Sequence, residues 1–218
     1  MITAFVGKTG SGKTLDAVNK IVQNLKPHPH TGKIRTIYTN IEGMDDPTCQ
    51  AYLQEQVGLN DYEMKKHFIW VSDKQIETIY DYVKEGSLVV VDECHKRWNT
   101  RDWQKDSNRK MADWCSTHRH LGCDLLLITQ DMEKVDKQIR GLVHTSYVIR
   151  KVDFMGNLVK QKFIVYSYDG DDINGKPLAT NYRSYDGKLY RCYKSYSNEL
   201  LKEIGFMPRL NILDFRLL

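Results

Sequence analysis

The sequence contains no long apolar stretch. Its strongest hydrophobic runs, SLVVV at 87–91 and LLLI at 125–128, fall far short of the roughly 20 residues that a transmembrane helix needs. The first ten residues, MITAFVGKTG, also lack the charged start, the long apolar centre and the small-residue cleavage site of a secretory signal. These absences argue against a membrane-embedded class for the 218 residues, and we expect a cytosolic chain.

Cysteine pairs and long basic runs are missing too. The five cysteines are an odd number without a C-x-x-C pair, which argues against a disulfide framework and favours a reducing compartment. The net charge of +4 comes from lysines and arginines interleaved with acidic residues, so composition gives no case for nucleic-acid binding. With 41% hydrophobic and 28% charged residues, the chain is predicted to form one soluble globular domain.

Short apolar runs alternate with helical patterns over residues 1–140. The predicted strands cover residues 2–6, 35–41, 67–71, 88–91 and 125–128, and the predicted helices cover 15–25, 46–58, 72–86, 107–121 and 133–140. Such alternation predicts the α/β class, with a mainly parallel central sheet between layers of helices.

From Ser146 onward the pattern becomes β-rich. Three turn-rich segments, MGN at 155–157, DGDDINGKP at 169–177 and SYDGK at 184–188, are typical of hairpin connections. We therefore divide the chain into a core over residues 1–150 and a β-hairpin extension of the same domain over 151–218. The tail from Asn198 is predicted to be a helix followed by an irregular arm.

Residues 7–14 read GKTGSGKT, the G-x-x-x-x-G-K-T pattern of a phosphate-binding loop. Backbone amides of such a glycine-rich loop are free to converge on the phosphates of ATP. The loop residues that we assign to nucleotide binding are Gly7, Lys8, Thr9, Gly10, Ser11 and Gly12. Lys13 is placed to reach the β- and γ-phosphates, Thr14 to bind Mg²⁺, and the predicted helix adds the positive end of its dipole.

Two adjacent acids follow the apolar run at 88–91. Proteins with a phosphate-binding loop hold the magnesium through an acid at the carboxyl end of a hydrophobic strand, and Asp92 fits that role. Glu93 is placed to polarise the attacking water as a general base. Gln130, after the run LLLIT, is a candidate sensor of the γ-phosphate at the same edge of the sheet. Solvated strand-end side chains are the alternative interpretation of all three.

An arginine supplied by a neighbouring subunit often neutralises charge in the transition state of such enzymes. The candidates are Arg97, Arg101, Arg119 and Arg140, of which we choose Arg140. A surface salt bridge is the competing interpretation for each.

Two further patterns have a simpler structural interpretation. Four potential zinc ligands lie close together in sequence, but structural zinc sites usually combine two separate pairs. A C-terminal stretch interleaves tyrosines with lysines and arginines, which suits either base stacking with phosphate contacts or ordinary hairpin faces. The zinc candidates are Cys115, His118, His120 and Cys123, and the tyrosines are Tyr182, Tyr185, Tyr190, Tyr193 and Tyr196.

Several segments, taken in order, resemble the Zot (zonula occludens toxin) domain, the cytoplasmic P-loop domain of the filamentous-phage assembly protein. They are GKTGSGKT at 7–14, YTNIEG at 38–43, VVVDECH at 89–95, HRHLGCDLLLITQ at 118–130 and VDKQIRGLV at 135–143. The phosphate-binding loop alone matches many families, whereas HRH-x-G followed by LITQ and D-x-x-I-R is far more specific.

The resemblance implies an additional-strand P-loop NTPase fold of the FtsK/HerA-like class. It also implies an ATPase that uses Mg-ATP in phage assembly and extrusion at the cytoplasmic side of the host inner membrane. The implied partners are further copies of the chain, up to a hexamer, other phage morphogenesis proteins, a secretin-like channel, host thioredoxin and the coated DNA. The residues that match the family's nucleotide-site segments are Lys13, Thr14, Asp92, Glu93 and Gln130, and Arg140 matches the arginine of D-x-x-I-R.

One departure from the family pattern concerns the end of the chain. Family members usually continue into a transmembrane helix and a periplasmic part, so we expect these 218 residues to be a fragment of a longer membrane protein. Three functions stay open: a motor that hydrolyses ATP to drive export, which we favour, a scaffold that binds nucleotide with negligible hydrolysis, and a DNA-translocating packaging ATPase. Nothing in the sequence supports a toxin activity.

Overall fold

Eight strands form one sheet in the computed structural model, which describes residues 1–152 and 162–194. The strands are β1 (Ile2–Val6), β2 (Ile37–Thr39), β3 (Phe68–Trp70), β4 (Leu88–Val91), β5 (Asp124–Thr129), β6 (Thr145–Val152), β7 (Lys162–Asp169) and β8 (Ala179–Ser184). The helices are α1 (Lys13–Leu25), α2 (Pro47–Val57), α3 (Asp61–His67), α4 (Asp73–Ile76), α5 (Asp106–Thr117) and α6 (Lys137–Arg140). No helix within these described ranges is long and apolar enough to cross a membrane.

The strand order is β3-β2-β4-β5-β1-β6-β7-β8. The first six strands in this order pair in parallel, and β7 and β8 add two antiparallel partners. Strand β5 is inserted between β1 and β4, as the additional-strand class requires. The predicted α/β fold with a mainly parallel sheet is confirmed.

The register of the central strands brings their carboxyl ends to one edge of the sheet. Val6 at the end of β1 pairs with Thr129 of β5, and Val91 at the end of β4 pairs with Leu127 of β5. The loop after β1, the acids after β4 and Gln130 after β5 therefore emerge side by side.

Alternation along the buried strands divides the core between the two faces of the sheet. Leu88 and Val90 of β4 belong to one cluster together with the apolar side of α1 and α2. Val89 and Val91 belong to a second cluster, which α5 and the fully buried Trp98 cover. Continuous apolar runs such as LVVV are thus explained, because both sides of a central parallel strand are buried.

The predicted helices over 72–86 and 133–140 are wrong in extent. In the first, α4 ends at Ile76 because the carbonyl oxygen of Gln75 accepts from Thr78 N and from the hydroxyl of Tyr82, and only a 3₁₀ turn over Ile79–Asp81 follows. In the second, Asp136 begins a new helix by accepting from Gln138 N, so the segment splits into a 3₁₀ turn over Met132–Lys134 and α6.

The sequence interpretation also missed helix α3. Its start carries a capping box, in which Asn60 and Glu63 each accept a hydrogen bond from the other's backbone N–H group. The helix has only seven residues and buries one side chain, Met64, so its sequence shows no apolar repeat at helical spacing.

The β-rich extension continues the sheet instead of forming a separate layer. DGDDINGKP joins β7 to β8 as predicted, and β6 runs through the position at which we divided core from extension. SYDGK does not join two strands, because a 3₁₀ turn over Gly187–Arg191 follows β8 and buries Leu189 against α1 and α2. The MGN turn, Tyr196 and the tail from Asn198 lie outside the described residues.

Candidate nucleotide site

The loop between β1 and α1 has the backbone of an anion cradle. Gly10 and Gly12 adopt φ angles of 76° and 95°, which side chains with a Cβ rarely adopt. Gly12 is the N-cap of α1 and supplies no side-chain hydrogen bond, so the first-turn N–H groups of this helix have no side-chain acceptor there. Ser11 Oγ is buried without a hydrogen-bond partner among the described residues. The loop therefore offers unused donors at the positive end of a 13-residue helix.

Strands β6 and β7 support this loop from one side. A Cβ added to Gly12 would lie 2.4 Å from Cε1 of Phe163, a buried residue of β7. A Cβ added to Gly7 would lie 2.6 Å from the carbonyl oxygen of Ile149 in β6. Gly7 and Gly12 are thus required for close packing of the loop against β6 and β7.

We expect Gly12→Ala to destabilise the nucleotide-free protein by about 2–5 kcal/mol. The estimate combines about 1–2 kcal/mol for a left-handed alanine with about 1–3 kcal/mol for overpacking against Phe163. Unfolding in urea measures the change, with Gly175→Ala as the matched control, because an added Cβ there meets nothing within 4 Å. A Gly12→Ala protein as stable as the control would refute the packing argument.

Lys13, the first residue of α1, is buried although it is basic. Its Nζ donates to the carbonyl oxygen of Lys8 at 3.0 Å. Burial lowers the pKa of Lys13, while the carboxylates of Glu93 and Asp92 oppose that shift. The lysine and both acids are therefore electrostatic neighbours, as the sequence motifs predicted.

Asp92 directly follows β4, and its environment disfavours the carboxylate charge. Burial, and then the neighbouring charge of Glu93, raise the pKa of Asp92 to about 6. Lys13 acts in the opposite direction. A cation bound beside Asp92 would relieve this penalty, which makes the position suited to a metal ligand.

Asn40 holds the backbone of Asp92, a role that the sequence interpretation missed. Its Oδ1 accepts from Asp92 N at 2.7 Å, and its Nδ2 lies 3.2 Å from Asp92 O. Asn40 follows β2, so its side chain extends the ladder of β2 and β4 beyond their last paired residues. The available signal was a polar residue directly after a short apolar strand, within YTNIEG.

Glu93 has an unusual backbone and two side-chain contacts. With φ of 48°, it is the one non-glycine residue at positive φ in the described ranges. Gln130 Nε2 donates to Glu93 Oε1 at 3.2 Å, and His95 Nε2 lies 3.3 Å from Glu93 Oε2. A residue other than glycine keeps this strained backbone only where the surrounding structure holds it, and such residues are common in functional sites. The structure thus brings Lys13, Asp92, Glu93 and Gln130 together.

Arg140 lies elsewhere. It precedes β6, whose first residue Thr145 pairs with Thr3 near the start of β1 and with Asp169 at the end of β7. Arg140 is therefore close to the edge of the sheet opposite the phosphate-binding loop, where its Nε lies 3.7 Å from Asp171 Oδ2. A role in the site of a neighbouring subunit stays a prediction.

The other arginine candidates have varied surroundings. Arg97 pairs with Asp73 and, at 3.8 Å, with Glu77. Arg119 contacts the ring of His144, and Arg101 is exposed.

The cysteine and histidine cluster does not converge on a metal position. Cys115, Cys123 and His118 are buried, whereas His120 is exposed. His118 Nδ1 donates to the carbonyl oxygen of Cys115 at 2.6 Å, and burial raises the pKa of both thiols. Among the residues that the structure describes, no three His, Cys, Asp or Glu side chains are grouped to hold a metal ion.

Comparison with known proteins agrees with this architecture. The sequence model of the family described as zonular occludens toxin (Zot) matches residues 1–199. The Gene 1 protein of Salmonella phage IKe is 32% identical over 169 residues, which cover 70% of this chain and 42% of that protein. The Gene 1 protein of Enterobacteria phage I2-2 is 33% identical over 169 residues, with the same coverage of 70% and 42%. The chain thus spans less than half the length of these curated relatives.

A solved structure is similar over nearly its whole length. The N-terminal domain of zonular occludens toxin from Neisseria meningitidis superimposes with a TM-score of 0.58 at 26% identity. The match covers 88% of this chain and 98% of that domain. Since the family model covers most of the sequence and the fold agrees, the chain belongs to the zonular occludens toxin (Zot) family.

Proposed function

We propose that this chain is an ATPase that binds Mg-ATP at residues 7–14 and hydrolyses it to drive filamentous-phage assembly and extrusion. The observation that carries the proposal is the convergence at one sheet edge of an uncapped helix start, a buried lysine and an acid pair. These groups fit a polyphosphate with a divalent cation, because Ser11 Oγ and the first-turn N–H groups are donors that still need an acceptor.

Each residue has a role in this reaction. Backbone amides of the loop and the Lys13 ammonium hold the β- and γ-phosphates, and Thr14 and Asp92 would hold Mg²⁺. The metal, when bound, neutralises phosphate charge. Glu93 accepts a proton from the attacking water while the water oxygen bonds to the γ-phosphorus and the bond to the bridging oxygen breaks. Gln130 donates to Glu93 and adjoins the position of the γ-phosphate.

A setting in phage assembly is supported by the relatives, which are Gene 1 proteins of phages. We place the domain at the cytoplasmic side of the host inner membrane, held there by a segment outside this chain. It works as a homo-oligomer, with other phage morphogenesis proteins, a secretin-like channel, host thioredoxin and the coated DNA as partners. In that oligomer Arg140 of one copy would serve the site of the next.

The packaging-ATPase alternative depended on the basic, tyrosine-rich stretch, and two arginines of that stretch are engaged within the chain. Arg183 pairs with the buried Asp16, and Arg191 lies over the ring of Tyr52 at 5.5 Å. Contacts of this kind leave fewer groups for DNA. No comparable observation favours the scaffold over the motor.

The proposal is tested by Mg²⁺-dependent ATP hydrolysis measured over a range of protein concentrations. We expect the rate per chain to rise with concentration, because an arginine of a neighbouring copy, Arg140 in our proposal, completes the site. Turnover at a constant rate per chain would disprove the shared site. Tight ATP binding without any turnover would instead support the scaffold.

A further inference from the structure

The proposed reaction assigns no role to His95, although its side chain contacts the general base. The residue lies in the 3₁₀ turn over Cys94–Lys96, which begins after the two acids that follow β4. This turn folds its ring back so that Nε2 lies 3.3 Å from Glu93 Oε2. The side chain of His95 is 13% exposed and that of Glu93 is 29% exposed, so the contact is largely shielded from water.

The other ring nitrogen contacts the neighbouring strand. His95 Nδ1 lies 3.1 Å from Oγ1 of Thr129, the last residue of β5, which is fully buried. Thr129 Oγ1 also accepts from Asp131 N at 3.2 Å and donates to the carbonyl oxygen of Asp131 at 2.9 Å. The ring is thus held between a fixed hydroxyl and the Glu93 carboxylate.

The donors and acceptors around the ring indicate which nitrogen of His95 carries the proton. Glu93, when ionised, can only accept, so His95 Nε2 must bear a hydrogen for that contact to be favourable. Burial lowers the pKa of His95 and so favours the neutral ring, Lys134 and Lys96 act in the same direction, and the charges of Glu93 and Asp131 oppose it. A neutral ring with hydrogen on Nε2 presents the lone pair of Nδ1 to the Thr129 hydroxyl, whose single hydrogen is shared between Nδ1 and the carbonyl oxygen of Asp131.

We propose that His95, oriented by Thr129, is a positioning residue that fixes the Glu93 carboxylate for water activation. His95 Nε2 contacts Oε2, and Gln130 Nε2 donates to Oε1 at 3.2 Å and lies 3.5 Å from Oε2, so two side chains restrain the carboxylate. Oε1, which accepts one hydrogen bond, keeps a lone pair free for the water. The inference depends on the proposed ATPase activity for its kinetic consequence but not for the contact itself.

Two substitutions separate positioning from a structural role. The amide nitrogen of glutamine reaches the place of Nε2 and can donate to Glu93, whereas asparagine reaches only the place of Nδ1. We expect His95→Asn to lower kcat about 10- to 100-fold, with unchanged KM for ATP and unchanged thermal unfolding, because misplacement by about 1 Å has such effects. His95→Gln is expected to keep most of the activity. Equal activity of His95→Asn and wild type, or losses that follow unfolding, would overturn the proposal.

A measurement without nucleotide tests the contact by itself. Long-range ¹H–¹⁵N NMR of the histidine rings should show His95 protonated at Nε2, and Thr129→Val should disturb this preference while Thr129→Ser preserves it. A ring protonated at Nδ1 would refute the proposal even in an active enzyme. A wild type without turnover would instead contradict the proposed function, and the NMR result would still decide the role of the contact.

Discussion

Glu93→Gln should reduce ATP hydrolysis about 100-fold or more, since a positioned general base contributes about 10²–10⁴-fold to such reactions. Glutamine has nearly the same shape, and its amide oxygen can still accept from Gln130 or His95, so the site geometry is expected to persist. Affinity for ATP should therefore stay within about threefold of wild type. Steady-state hydrolysis and equilibrium binding of a nonhydrolysable analogue measure the two quantities.

The matched control is Glu85→Gln, an exposed glutamate just before β4. It makes the same change of charge, and we expect wild-type hydrolysis from it. Activity in Glu93→Gln equal to that of this control would show that another group activates the water. Loss of both binding and hydrolysis in Glu93→Gln would show that the substitution had disrupted the loop.

Lys13→Ala should weaken ATP binding about 10- to 150-fold, because hydrogen bonds to charged groups contribute about 1.5–3 kcal/mol. Hydrolysis should fall with it, since the ammonium also faces the γ-phosphate during the reaction. Ligand-induced stabilisation gives a second measurement. At a concentration 100 times the wild-type Kd, the wild type gains about 2.7 kcal/mol, whereas a variant with 100-fold weaker binding gains about 0.4 kcal/mol.

Lys26→Ala provides the control for this experiment. Lys26 is an exposed residue just after α1, so it removes the same charge near the same helix without reaching the loop. Its affinity for ATP should equal that of wild type. Unaltered affinity in Lys13→Ala would mean that the buried ammonium serves the packing of the loop and not the phosphates.

The sequence predicted the central part of the fold well because that part is strongly patterned. The runs at 2–6, 88–91 and 125–128 are buried on both faces, and their short length and neighbouring glycines favour strands over helices. The Asp46-Pro47 start and the Gly58 end of α2 were equally clear, because caps are local signals.

Elements whose ends depend on tertiary contacts were predicted less well. The segment after Ser72 has apolar residues at helical spacing, but the hydroxyl of Tyr82 donates to the carbonyl oxygen of Gln75 and the helix ends at Ile76. The turn at SYDGK resembles a hairpin, yet the buried site for Leu189 beside α1 and α2 favours a 3₁₀ turn. A local sequence window reveals neither the hydrogen bond from Tyr82 nor the buried site for Leu189.

Local motifs were enough to predict the phosphate-binding loop, the acid pair after β4 and the candidate sensor after β5. These depend on short motifs and on which residues end apolar strands, and both are local properties. Three contacts became known only from the folded structure: Asn40 holds Asp92, Phe163 packs on Gly12, and His95 contacts Glu93. Those contacts depend on strand order and on the left-handed turn at Glu93, which bring together atoms whose distances no residue pattern encodes.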